Sequence, residues 1–193
     1  DIAITLYVHA GTLKNGITYL KVRSEYLEAW GLEKDDVLHE ALLNSYRILP
    51  PRIYDFKKMM YTPGYAGEDF LNMDPYFISD KKKKEGICLS VKGLSNGAVA
   101  VLYPGVIKKL VEFMDGGFYV VFSSVHEALI YSSKLCSLEE LENLLRTSNA
   151  RMTFQKEFLT DKVYYYCKEE DKFIMLRGSM KMLVTTIRMD EEN

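Results

Sequence analysis

Residues 118–122 constrain the fold more than any other part of the sequence, because they form an almost unbroken apolar run of strand length. A run of this kind is typical of a central β-strand that is covered on both faces. Such a strand requires a sheet with further elements packed against it. The chain has 193 residues, which suits one layered domain.

Other segments show the period-two pattern or the β-branched content of strands. Residues 2–8 alternate between apolar and other side chains, and Asn15-Gly16 then favours a type I′ hairpin turn, because both residues accept a positive φ angle. The return strand is predicted at 17–23. Further strands are predicted at 87–91, 128–131, 163–167 and 173–176, with an edge strand at 182–187.

Helical spacing of apolar residues predicts helices between these strands. Ser24 caps a short helix that ends at Gly31, and Pro50-Pro51 ends a longer helix that begins at Asp35-Asp36. Further helices are predicted at 54–61, between Pro104 and Gly116, and after a Ser137–Glu140 capping box, while 97–103 fits a strand or a helical turn. We therefore expect an α+β fold, with helices packed on a mixed, mainly antiparallel sheet.

Between residues 62 and 85 the regular pattern breaks. The segment is polar, carries scattered aromatic residues and ends in four lysines at 81–84, so we expect a long exposed excursion. Loops of this length inside a compact domain are often functional. The candidate binding residues are the aromatic side chains Tyr61, Tyr65, Phe70, Tyr76 and Phe77.

We expect residues 1–193 to form a single domain that lacks a natural N-terminal segment, because the chain enters a strand pattern directly from Asp1. The three cysteines are widely spaced and fit reduced thiols in the cytoplasm. No apolar run approaches the length of about 20 residues that a membrane helix needs, so we expect no membrane partner.

The formal net charge is -2, and this acidic balance argues against nucleic acid as a partner. One local feature keeps that alternative open. The lysines at 57–58 and 81–84 flank the aromatic residues of the excursion, and cations interleaved with aromatics can hold a backbone and stack bases.

The strongest candidates for catalysis are Ser123, Ser124, His126 and Glu127, which follow the predicted central strand. If the segment stays extended, Ser124 and His126 lie on the same side, so the imidazole could act as a base for the hydroxyl while Glu127 orients the ring. The alternative is structural: the serines cap a turn and His126 hydrogen-bonds to backbone.

We expect neither a metal site nor a cofactor. His9, His39 and His126 are far apart in sequence, and no His-Glu-x-x-His pattern is present. The chain also has no glycine-rich phosphate-binding motif.

Four sequence blocks carry a resemblance to a known family, and their order matches: 25–31 (EYLEAWG), 97–106 (GAVAVLYPGV), 118–127 (FYVVFSSVHE) and 159–166 (LTDKVYYY). The chain is similar to a bacterial domain-of-unknown-function family, number fifty-six eighty-eight in that series. Members usually have a proline where Phe122 stands and are longer at the N-terminus. The resemblance implies a cytoplasmic bacterial protein with Tyr-Pro-Gly-Val and Ser-Ser-x-His-Glu signatures. It brings no known activity, cofactor or partner.

Two functions of different classes follow from these observations, and whether the protein is an enzyme stays open. The first is a non-catalytic binding or interaction module for a protein partner or small ligand. The alternative is a hydrolase-like enzyme that uses Ser124, His126 and Glu127, and nucleic-acid contact through the excursion is a third reading.

Overall fold

A computed structural model of the chain describes residues 2–13, 16–152, 157–177 and 180–183. The strands are β1 (Tyr7–Leu13), β2 (Gly16–Lys21), β3 (Pro51–Tyr54), β4 (Glu68–Asp69), β5 (Ile87–Val91), β6 (Phe118–Val121), β7 (Ala128–Ser132), β8 (Val163–Cys167), β9 (Lys172–Arg177) and β10 (Met180–Leu183). The α-helices are α1 (Ser24–Trp30), α2 (Lys34–Ile48), α3 (Phe56–Tyr61), α4 (Asp80–Glu85), α5 (Val106–Met114) and α6 (Leu138–Met152), and two 3-10 helices lie at Pro75–Phe77 and Gly97–Leu102.

Eight strands form one sheet in the order β10-β9-β8-β6-β7-β5-β3-β4, and β1 and β2 form a separate hairpin. The predicted α+β class is confirmed. Every ladder between described strands is antiparallel, so the expectation of a mixed sheet is too broad. Short connections join β6 to β7 and β8 to β9, and such turns can only link antiparallel neighbours.

The central position predicted for 118–122 is confirmed, because β6 pairs with β7 on one side and with β8 on the other. Alternate residues of β6 face opposite layers. Phe118 and Val120 pack in the main core, to which α5 contributes Leu110. Val121 packs in a second cluster with Leu145 of α6. A strand buried on both faces needs apolar residues at every position, which explains its continuous pattern.

The capping box that was predicted before α6 is present. Ser137 N donates to Glu140 Oε2 at 2.9 Å, and Glu140 N donates to Ser137 Oγ at 3.3 Å. The two bonds satisfy backbone donors that the first helical turn would otherwise leave free. The sequence signature therefore sets the start of the helix that covers the second face of the sheet.

The N-terminal hairpin and the first two helices share a small cluster formed by Leu6, Val22 and Leu27. The predicted hairpin is confirmed, but its first strand begins at Tyr7 rather than at residue 2. Its turn at residues 14–15 lies outside the described residues. Gly31 ends α1 in the left-handed region with φ of 64°, as its position after the helix predicts.

Strand β3 was not predicted, because Pro51 was interpreted only as the end of the preceding helix. Proline is tolerated at the first residue of a strand, where its missing N–H removes no interior ladder bond. Here Pro51 opens β3, and the strand lies between β5 and β4. The ambiguous stretch 97–103 forms a 3-10 helix, Gly97–Leu102. Beyond residue 183, the predicted edge strand and tail lie outside the described residues.

Segment 62–85 contains more regular structure than its pattern predicts. Ser79 Oγ accepts from Lys82 N at 3.4 Å at the start of α4, so the lysine run is helical rather than a loop. Phe70 is fully buried in the main core and Ile78 is 7% exposed, so both anchor the segment to the sheet. None of the described helices has the length and apolar character needed to cross a membrane.

Candidate functional site

Residues 122–127 join β6 to β7 and carry the four candidate catalytic residues. Ser124 is 8% exposed, and its Oγ accepts a hydrogen bond from His126 N at 3.0 Å. A serine hydroxyl bonded to the backbone two residues on is a local turn motif. Ser124 is therefore held as part of the turn.

Three further bonds tie this loop to remote segments of the chain. His126 O accepts from Ser90 Oγ at 2.6 Å, and Val125 O accepts from Ala98 N at 3.2 Å. Val125 N donates to Glu157 O at 3.0 Å. The loop thus connects the end of β5, the following 3-10 helix and the segment before β8.

The imidazole of His126 accepts a hydrogen bond at one nitrogen and has a carboxylate near the other. Nδ1 accepts from Asn96 N at 3.1 Å, so in the neutral ring the proton lies on Nε2. Nε2 lies 3.6 Å from Glu157 Oε1. Asn96 has a φ angle of 53°, which brings its N–H to the ring. No sequence pattern pointed to Asn96 or Glu157, because each lies about 30 residues from His126.

Glu127 bonds to a serine rather than to the histidine: its Oε1 accepts from Ser123 Oγ at 2.6 Å. A hydrolytic set would need the ring beside a hydroxyl and a carboxylate behind the ring. The loop instead contains two separate pairs, Ser123 with Glu127 and Ser124 with the backbone of His126. The four residues are close together, but Ser124 Oγ is bonded to the backbone of His126 rather than to its imidazole.

Cys88, the cysteine beside Glu127, is a poor nucleophile. Burial, with a smaller contribution from the nearby Glu127 carboxylate, raises the pKa of the Cys88 thiol to about 12. A thiol with this pKa is almost entirely protonated at neutral pH. Within the part of the chain that the structure describes, no group of three or more His, Cys, Asp or Glu residues could hold a metal ion.

A concave feature lies beside segment 62–85, away from this loop, and has a volume of about 900 Å³. We call it the cleft. It is formed by the end of β3, by α3, by residues 65–79, by α4 and by the start of β5. Its lining residues are Ile53, Tyr54, Asp55, Phe56, Lys57, Lys58, Tyr65, Glu68, Asp69, Asn72, Met73, Asp74, Phe77, Ile78, Ser79, Lys81, Lys82, Glu85, Gly86 and Ile87.

The five aromatic binding candidates have different positions relative to this cleft. Tyr65 and Phe77 line it. Tyr61 and Tyr76 are not among its lining residues, but they are highly exposed. Phe70 is a core residue, stacked on Phe113 with ring centroids 5.3 Å apart, and it is not accessible to a partner. Aromatic content alone could not separate this anchor from the exposed residues, because both kinds occur in one polar segment.

Ion pairs connect the two walls of the cleft. Asp55 caps α3 by accepting from Lys57 N and Lys58 N, and its Oδ2 accepts from Lys82 Nζ of α4 at 2.7 Å. Lys58 Nζ lies 2.8 Å from Glu68 Oε1. The hydrogen bond from Lys82 lowers the pKa of Asp55, and the hydrogen bond from Lys58 lowers the pKa of Glu68. Both carboxylates are thus stabilised in the charged form.

The charges around the cleft nearly cancel. Its lining includes four lysines (Lys57, Lys58, Lys81 and Lys82) and five carboxylates (Asp55, Glu68, Asp69, Asp74 and Glu85). The lysines of α4 are paired further, since Lys81 lies 3.7 Å from Glu85 and Lys83 lies 3.5 Å from Asp80. The basic run that the sequence displays is therefore largely neutralised in the folded protein.

Comparison with known proteins identifies one family. A family model described as "Family of unknown function (DUF5688)" matches residues 1–168, which is most of the chain. No curated protein and no solved structure matches the chain significantly.

Proposed function

Because the chain belongs to the DUF5688 family, whose function is unknown, we propose its function from its own surface: it is a non-catalytic module that binds a protein partner at the cleft. The contact surface is the cleft together with Tyr61, Tyr76 and Phe77, which we call the aromatic rim. Bacterial origin and a cytoplasmic location are part of the same proposal, and the three free cysteines fit a reducing compartment.

The observation that carries the proposal is the exposure of the rim. Tyr76 is 96% exposed, Phe77 is 81% exposed and Tyr61 is 79% exposed. Phe70 and Ile78 lie on either side of Tyr76 and Phe77 in the sequence. Both are buried and anchor the segment. Large aromatic residues held outward on an anchored segment lose little conformational entropy on binding and are enriched in protein interfaces.

The charge distribution favours a protein over nucleic acid as the partner. Binding to a phosphate backbone depends on free cations that displace counterions. Lys58 and Lys82 instead pair with Glu68 and Asp55, and the lining as a whole carries one more carboxylate than lysine. A partner that presents a mixed apolar and polar surface matches this cleft better than a polyanion does.

Residues 122–127 join β6 to β7 and are called the signature loop. The geometry of this loop favours binding over hydrolysis. A hydrolase would need His126 to accept a proton from a serine. Its Nδ1 accepts from Asn96 N, and Ser124 Oγ accepts from the backbone of His126. We assign this loop a structural role, joining segments that are remote in sequence.

The test compares three forms of the chain as bait in a lysate of the organism that encodes it. They are the wild type, a variant with Tyr61→Ala, Tyr76→Ala and Phe77→Ala, and a control with Tyr7→Ala and Tyr19→Ala. The control tyrosines are 60% and 58% exposed on the β1–β2 hairpin. Circular dichroism should show that all three forms are folded, because the replaced side chains are exposed.

We expect the wild type and the control to retain the same protein partner and the rim variant to lose it. Loss of one hot-spot aromatic residue weakens binding by about tenfold or more. Retention should survive nuclease treatment and change little with salt. Equal retention by the rim variant would disprove the role of the cleft, and retention that nuclease abolishes would favour nucleic acid instead.

A further inference from the structure

Arg52 occupies an unusual position for a cation, in the interior of the eight-stranded sheet. It is the second residue of β3, where it pairs with Ser90 of β5 and with Asp69 of β4. Ile53 faces the main core, so Arg52 lies on the opposite face of the strand. Arg52 is half-buried and is not among the residues that line the cleft.

The guanidinium group of Arg52 has no partner among the described residues. Its Nε atom is buried and makes no hydrogen bond, and neither terminal nitrogen takes part in a hydrogen bond or an ion pair there. Burial has removed water from the Nε atom, and no described protein group replaces the lost hydrogen bond. An uncompensated charge in such a position destabilises the folded state.

Two carboxylates on this face are hydrogen-bonded to groups other than Arg52. Asp69 is directly opposite Arg52 in the ladder, but its Oδ2 accepts from Asn72 Nδ2 at 3.1 Å. The β5–β7 ladder ends with Leu89 opposite Ala128. The next two residues, Ser90 and Glu127, therefore point to the same face as Arg52. The Glu127 carboxylate is bonded to Ser123 at 2.6 Å. No carboxylate of the described residues forms an ion pair with the guanidinium.

We infer that Arg52 is a binding site for an oxyanion, the phosphate or carboxylate group of a small ligand, on the sheet face opposite the main core. The planar guanidinium presents two parallel N–H donors that match two oxygens of such a group. The bound anion supplies a hydrogen-bonding partner that no described residue provides. The half-buried Ser123 and Glu127 provide polar surface on the same face, and this site is independent of partner binding at the aromatic rim.

The test measures thermal unfolding of the full chain at pH 7 in sodium phosphate, sodium acetate or sodium chloride of equal ionic strength. For the wild type we expect a saturable rise in Tm with phosphate or acetate over chloride. The rise should be about 5 °C or more at a hundredfold excess over Kd. The anion that produces the rise distinguishes a phosphate ligand from a carboxylate ligand.

Two variants identify the residue responsible. Arg52→Met should abolish the rise and should be at least as stable as the wild type in chloride, because it keeps the apolar stem and removes the unpaired charge. The control is Lys108→Met, which makes the same change in net charge at an exposed position of α5 and should keep the rise. If Arg52→Met does not fold, Arg52→Gln is used in its place.

Two results would overturn the assignment: a wild-type Tm that phosphate and acetate raise no more than chloride does, or the same rise in the Arg52 variant. The aromatic-rim variant should keep the full rise in Tm, so failure of this inference and failure of the proposed function are distinguishable.

Discussion

Gly97 is a single residue on which the geometry of the signature loop depends. A Cβ atom at this position would lie 2.0 Å from Ser90 Oγ, 2.6 Å from His126 O and 2.7 Å from Val91 N. Two of these atoms belong to the backbone, and the third is the hydroxyl that bonds His126 O. Gly97 is therefore required for the close approach of the chain, not for a positive φ angle.

Gly97→Ala should lower the free energy of unfolding by roughly 1–3 kcal/mol, because the methyl group must push apart strand β5 and the loop. Urea unfolding measures the change. Gly11→Ala is the matched control, since nothing lies within 4 Å of its Cβ position, and it should change stability by no more than about 0.5 kcal/mol. Equal values for the two variants would contradict the close packing at Gly97.

At the scale of the element, helix α6 illustrates how a local signature controls a layer of the fold. Its capping box lies at the start of the helix that buries Leu141 and Leu145 against the sheet. The hydrogen bond from Ser137 N, followed by the bond from Ser137 Oγ, lowers the pKa of Glu140. The carboxylate therefore contributes to helix stability through its charged form.

Glu140→Ala should destabilise the protein at pH 7 more than Glu139→Ala, the control in the same turn, which makes no capping bond there. The folded-state pKa of Glu140 lies below the unfolded value, which is about 4.3 for a free glutamate. The contribution is thus fully present above the unfolded pKa and is lost as the pH falls through the folded pKa. Urea unfolding from pH 7 to pH 3 should show the difference between the two variants shrinking, and a constant difference would argue against the charged cap.

At the scale of the whole molecule, the described residues divide into regions of unequal packing. The main core joins the 3-10 helix Gly97–Leu102 and α5 to most strands of the sheet, whereas the N-terminal cluster has only three buried apolar residues among those described, Leu6, Val22 and Leu27. We propose that residues 1–193 nevertheless form one domain, because Leu42 and Tyr46 of α2 pack against the main core.

Native-state hydrogen exchange should detect this inequality. Amides of the β1–β2 hairpin should exchange by local opening at a much lower free energy than amides of β5 and β6, because a lone two-stranded hairpin is only marginally stable. The exposed Tyr7 and Tyr19 add little burial to the hairpin. Mass spectrometry of peptic peptides gives the rates, and equal protection in both regions would contradict the prediction.

Segment 62–85 shows where sequence patterns stop being informative. Short-range spacing correctly predicted the hairpin, strand β6 and the α6 cap, because each depends on residues a few positions apart. It did not separate buried Phe70 from exposed Phe77, since both lie in one polar segment without periodicity. It also missed β3, which has four residues and begins at a proline.

The sequence by itself determined the α+β class and most of the local elements, because hydrophobic periodicity and capping act between near neighbours in the chain. Only the tertiary structure decided which remote groups meet. Asn96 donates to the ring of His126 and Glu157 lies beside it, Lys82 pairs with Asp55 across the cleft, and no carboxylate in the described part of the chain pairs with Arg52. These contacts join residues that are remote in sequence. They depend on the order of the strands and on the backbone path between them, and no local pattern of side chains encodes either.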